Sequence, residues 1–231
     1  RICIASALGK VKSPDALKEL ALSLQTESDY RVKCSIIRAL QGYEYKDIHM
    51  VLLASTADAN PNVAEVAADY FVNRGQEKDA AKYKAAMKDC KSWQAKTRLA
   101  EAANKNTTSM FSSVKTALQN EILASLNAAK NPYEKAAWLK AWASELRNFE
   151  SIPKYTQPDQ SIQVRTQAVT SLIDACRDKN FDAYFAGEGY LIKSQIGGYL
   201  VNAMKSGDAG IIALIAGAIT DPKTGMKEIF K

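Results

Sequence analysis

Side chains able to do chemistry are few in this sequence, and they do not converge. The single histidine, His49, lies between Ile48 and Met50 on a predicted outer helix, which assigns it a solvent-facing or capping role. Acid–base catalysis needs polar groups that meet and shift one another's protonation. Here the carboxylates are scattered without a paired constellation, and no Glu-x-x-His occurs. Cys3, Cys34, Cys90 and Cys176 stand far apart within apolar helical patterns, without the close spacing that a structural zinc requires. They read as buried thiols acting as small hydrophobes. Gly187-Glu188-Gly189 lacks the preceding strand and the lysine of a phosphate-binding loop. No metal or cofactor is implied, and the chain reads as non-catalytic.

The elements that must carry these residues announce themselves through repetition. A phrase with an apolar or aromatic anchor, then small or apolar residues four and eight positions on, starts at Val32, Val63, Ala95, Tyr133 and Val164, at offsets of 31, 32, 38 and 31. Self-similarity at a fixed period marks stacked supersecondary units with one continuous core. Ser13-Pro14, Asn60-Pro61 and Asn131-Pro132 each supply an N-cap followed by a proline at the first helical position. Helical stripes follow, such as Leu17, Leu20, Ala21 and Leu24, or Val63, Ala67, Tyr70 and Phe71, and no strand-period alternation is present. The expected fold is all-α, an α-α superhelix of about six helical hairpins. It should form a single array over 1–231, with an irregularity at 104–110 and an insertion at 178–189. Phe111 should open a long helix with Val114, Leu118, Ile122 and Leu126, and 151–160 should be loop.

Composition fits. The 47% hydrophobic content supports a core, and no apolar run is long enough to span a membrane. Of the net charge of +6, residues 74–105 carry nine bases against four acids, a pattern typical of a solvated helix face. The sequence opens inside a helical phrase and closes soon after a helix begins, as a piece of a longer polypeptide would.

The phrase resembles the second helix of HEAT-type repeats, in which a Val-Arg pair precedes small apolar residues after an Asp/Asn-Pro turn. Val32-Lys33, Asn60-Pro61-Asn62-Val63 and Val164-Arg165 with Ala168 and Leu172 carry the resemblance; Ala64 and Glu134 depart from it. It implies that Lys33, Lys96 and Arg165 form a stabilising ladder between neighbouring repeats. More narrowly, Asn131–Ala141 followed by Val164–Ala168 is similar to the helical segment fused to the catalytic barrel of cyclophilin-type peptidyl-prolyl isomerases from Bacteroidetes. That implies an isomerase site outside this chain and an extracytoplasmic or periplasmic setting.

Trp138 and Trp142, four apart on one helix, and Trp93 suit hairpin core packing. The alternative is an aromatic platform for a flipped base, as in HEAT-like alkylpurine DNA glycosylases, with basic residues along the concave face. The inner-face positions instead alternate in character: Arg38, Asp69, Arg98, Glu101, Lys135 and Gln167. Such a row interrupts the positive track that phosphates need, so nucleic acid is disfavoured. It is the candidate surface for a protein or peptide segment, or for a sister domain of the same polypeptide, with Val66 and Leu139 as apolar anchors.

Overall fold

A computed structural model describes residues 1–107 and 113–229; Phe111 lies outside the described residues. It is all-α, with no strand among the described residues. Packing divides the chain into two compact units, Arg1–Leu118 and Gln119–Lys231. The division falls inside helix α8 (Ser113–Ala128), just after the irregularity expected at 104–110.

The first unit contains α1 (Ile2–Val11), α2 (Pro14–Thr26), α3 (Tyr30–Leu40), α4 (Tyr45–Ser55), α5 (Pro61–Arg74), α6 (Ala80–Ala86) and α7 (Trp93–Asn106). Helices α1, α3, α5 and α7 pack side by side as one layer, while α2, α4 and α6 each lie against the helix that follows. The expected caps form. Ser13 Oγ accepts from the Ala16 N–H at 3.1 Å, and Asn60 Oδ1 accepts from the Asn62 N–H at 3.0 Å. Between the layers Leu20, Ile37, Leu40, Ile48, Leu52, Phe71 and Leu99 are almost wholly enclosed. Each large apolar side chain contributes about 1.5–3 kcal/mol of burial. Cys34 and Cys90 lie in this core, but Cys3 is exposed: although α1 packs against α3, Ala5 is the one residue of α1 that is fully buried.

Gly75 ends α5, though not by adopting the left-handed conformation common at helix ends. Its φ is −58°, and the reason for glycine is room: a Cβ would stand 2.4 Å from the Phe71 carbonyl oxygen and 2.7 Å from Asn106 Nδ2.

In the second unit α10 (Ile162–Arg177) is the hub. It packs against α9 (Pro132–Ala143), α12 (Gly189–Met204) and α13 (Ala209–Thr220). Part of the segment expected to be loop, 151–160, forms a tight 3₁₀ turn at Pro153–Thr156, and another at Leu146–Ser151 precedes it where the Tyr133 helix was expected to continue; between them they bury Phe149, Ile152 and Tyr155. Those apolar residues are spaced too irregularly for a sequence pattern to register, yet α10 covers them. The insertion at 178–189 contains a single helical turn, α11 (Phe181–Tyr184), whose Phe181 packs on Phe185, itself edge-on to Phe149. Gly187 there has φ +91°, and Gly189 is pressed against Asp182, so both glycines serve the turn.

Candidate binding surface

The inner-layer helices of the first unit leave one face uncovered. On α3, Arg31, Ser35 and Arg38 recur every three or four residues and point away from the core that holds Val32, Ile36, Ile37 and Leu40. Helix α5 adds Asn62, Glu65, Val66 and Asp69, and α7 adds Arg98 and Lys105. Two shallow grooves run beside α3. One, of about 390 Å³, lies against α1 and is lined by Ile2, Ser6, Gly9, Lys10, Ser35 and Arg38 among others. The second, of about 410 Å³, opens toward α5, between Tyr30, Cys34, Arg38, Glu65 and Val66. Arg38, Ser35 and Ile2 border both. Burial pushes the Cys34 thiol above its ordinary pKa, with Arg38 pulling weakly the other way. It is therefore a neutral wall of the second groove.

The six residues singled out from the sequence fare differently. Asp69, Arg98 and Glu101 come together: Arg98 Nε lies 3.3 Å from Asp69 Oδ1, and Arg98 Nη1 3.6 Å from Glu101 Oε2. Glu101 is not a surface group, since its side chain is 3% exposed and Lys105 Nζ also holds it at 2.8 Å. A carboxylate buried between two cations is fixed in place and has little left to offer a ligand. Arg38, by contrast, is exposed and makes no hydrogen bond or ion pair with the described residues.

Lys135 and Gln167 belong to the second unit. Lys135 Nζ donates to Gln160 Oε1 at 3.1 Å, and Gln167 Nε2 donates to Ser171 Oγ at 3.1 Å. Of the two proposed apolar anchors, Val66 is half-buried and borders a groove, but Leu139 is fully enclosed. Helix α9 is pressed against α10, and its sequence does not reveal which of its two apolar sides faces that neighbour.

The expected ladder is partial. Lys33 Nζ reaches Asp58 Oδ2 at 2.7 Å, in the turn of the next hairpin. Arg165 turns inward instead: its Nε donates to the Thr156 carbonyl at 3.4 Å, and its buried Nη2, like the Tyr155 hydroxyl, meets no partner among the described residues.

Trp138 and Trp142 are engaged within the fold. Trp138 is 2% exposed and its indole N–H faces Glu134, while the Trp142 indole donates to Ser151 Oγ at 2.8 Å. His49 is half-buried, stacked on Tyr45 with ring centroids 4.9 Å apart. Tyr45 belongs to a chain of hydroxyls. The Gln76 N–H donates to Tyr83 Oη at 2.9 Å, the two tyrosine oxygens are 2.6 Å apart, and Tyr45 donates to Asp79 Oδ2 at 2.8 Å. Because Tyr45 spends its one proton on the carboxylate, Tyr83 must be the donor between the phenols. Lys82 closes the chain on Asp79 at 2.7 Å. The network ties α4 to α6.

Lys10, Ser6, Ser35 and Glu65 also line these grooves but are not among the residues singled out from the sequence. A signal existed in the recurrence of Ser6 with Lys10, and of Arg31 with Ser35 and Arg38, at helical spacing on uncovered faces. No group of three or more candidate ligands able to hold a metal occurs among the described residues, and none of their helices is long and apolar enough to cross a membrane. Comparison with protein-family models, curated proteins and solved structures returns no match.

Proposed function

We propose that this chain is a non-catalytic binding segment of a larger protein, and that the uncovered face of α1, α3 and α5 holds a protein or peptide segment. The observation that carries this reading is the pair of grooves flanking α3, joined by Arg38, Ser35 and Ile2. Their small lining residues admit side chains of a partner, and the stacked helices beneath form a rigid support. The resemblance of Asn131–Ala141 and Val164–Ala168 to the helical segment of cyclophilin-type isomerases supports a parent polypeptide whose chemistry resides in another domain. Burial of Trp138 speaks against the base-flipping alternative, because a stacking platform needs a free ring face.

The test is a library of short immobilised peptides probed with the protein and with Ser6→Trp and Ser35→Trp, which fill the grooves. Peptides retained by the protein and lost by both variants are the expected result. Equal retention by all three would refute the assignment of this surface.

A further inference from the structure

The charges around the grooves, once paired groups are set aside, are of one sign. We propose that the bound segment is an acidic, extended stretch of protein, one of whose carboxylates pairs with Arg38. This deepens the reading above and rests on it.

The groove between α1 and α3 has two cations in its wall, Lys10 and Arg38, and no carboxylate. The neighbouring groove adds Arg31 and Glu65. Arg31 is already bound by Asp29 through two bonds of 3.1 and 2.8 Å, and that contact draws the Asp29 carboxyl down to about 2. Glu65 faces Arg98 at 3.8 Å. Farther along the same face, Arg98 and Lys105 converge on Glu101. The charge not already engaged is therefore that of Arg38 and Lys10, both exposed and at the α1–α3 end. A guanidinium offers a planar fork of donors that matches a carboxylate in two-point contact.

Shape selects an extended chain. Gly9 lies so close to α3 that a Cβ there would stand 2.8 Å from the Ala39 Cβ, and this close crossing places Ser6, Ser35, Ala39 and Gly42 along the groove. Grooves of about 390 and 410 Å³ have room for individual side chains. A helix, roughly 10–12 Å across, needs a wider trough. The apolar walls from Ile2, Tyr30 and Val66 call for alternate apolar residues between the acids. A polyphosphate backbone fits poorly, because a run of phosphates needs a continuous track of cations and only Arg38 and Lys10 are left unengaged around the grooves.

Fluorescence anisotropy tests this with a short labelled peptide alternating Glu with Leu and Val. The same peptide is also made with every Glu replaced by Gln or by Lys, and a labelled single-stranded oligonucleotide is run beside them. The Glu peptide should bind in a salt-sensitive way, and the Gln and Lys peptides more weakly. Arg38→Ala should cost about tenfold in affinity, with Arg38→Lys between, while Lys18→Ala, at an exposed position of α2 that lines neither groove, leaves binding within about twofold. Circular dichroism of each variant verifies its folding. Equal binding of the Glu and Gln peptides, both abolished by Ser35→Trp, would overturn the acidic partner and leave the groove assignment standing. Binding of no peptide, or of peptides indifferent to Ser6→Trp and Ser35→Trp, would overturn both. Preferential binding of the oligonucleotide would overturn the protein partner.

Discussion

Replacing Tyr45 by Phe removes one oxygen from the middle of the Gln76–Tyr83–Tyr45–Asp79 chain and leaves the ring contacts with His49 and Tyr70 in place. Two losses follow. The Asp79 carboxylate, buried at 3% exposure, loses a hydrogen bond to a charged acceptor, worth about 1.5–3 kcal/mol. The Tyr83 hydroxyl, also buried, keeps the Gln76 N–H as a donor to it but loses the acceptor for its own proton, about 1 kcal/mol more. The sum is about 2.5–4 kcal/mol, measurable by urea unfolding followed by far-UV circular dichroism. Tyr83→Phe spares the carboxylate and should cost less, about 1–2 kcal/mol, and the double variant should cost less than the sum because the two share a bond. The pH dependence gives a second handle. Burial raises the Asp79 pKa, but Lys82 and Tyr45 outweigh it, so the folded value lies below the ordinary one. The stability from a depressed carboxyl is present above the unfolded pKa and is lost as pH falls through the folded value. Without the Tyr45 hydroxyl the depression is smaller, so the variant's deficit should shrink on acidification through the carboxylate range. A deficit below about 0.5 kcal/mol at neutral pH, or one that grows in acid, would refute the chain's proposed polarity.

Other perturbations have equally definite outcomes. Arg165→Met removes a buried guanidinium whose Nη2 is unpartnered, so urea unfolding should show a change within about 1 kcal/mol or a gain; a loss above about 3 kcal/mol would mean the charge is paired. Gly75→Ala should destabilise by about 1–3 kcal/mol despite an ordinary φ, because the new methyl meets the Phe71 carbonyl and Asn106 Nδ2, and a neutral result would show that the end of α5 can shift to make room. Leu139→Ala should cost about 2–5 kcal/mol of stability, whereas Val66→Ala should leave stability nearly unchanged and weaken peptide binding. Asn131→Ala removes the side-chain acceptor of the Tyr133 and Glu134 N–H groups and should lower the thermal midpoint, by about 1 kcal/mol in stability terms.

Local rules determined much of this protein from the sequence alone. Cap-plus-proline signals and four-residue apolar spacing specify helices because their causes, an orphan N–H at a helix start and an apolar stripe in need of cover, act within a few residues. The starts at Pro14, Pro61 and Pro132 were legible for that reason. Which side of a helix a neighbour covers depends on residues far away in sequence. Leu139 and Glu101 read as surface positions from spacing, yet one is sealed by the packing of α9 on α10 and the other is clasped by Arg98 and Lys105. The row of alternating residues was likewise visible as a pattern, but charges on one helix do not reveal which of them will be neutralised by the next. Only the close approach of Gly9 to Ala39, and of Arg98 to Asp69, decided that Arg38 is left with a free guanidinium beside two grooves. Electrostatic pairing acts over a few ångströms of space, and sequence separation carries no information about that distance.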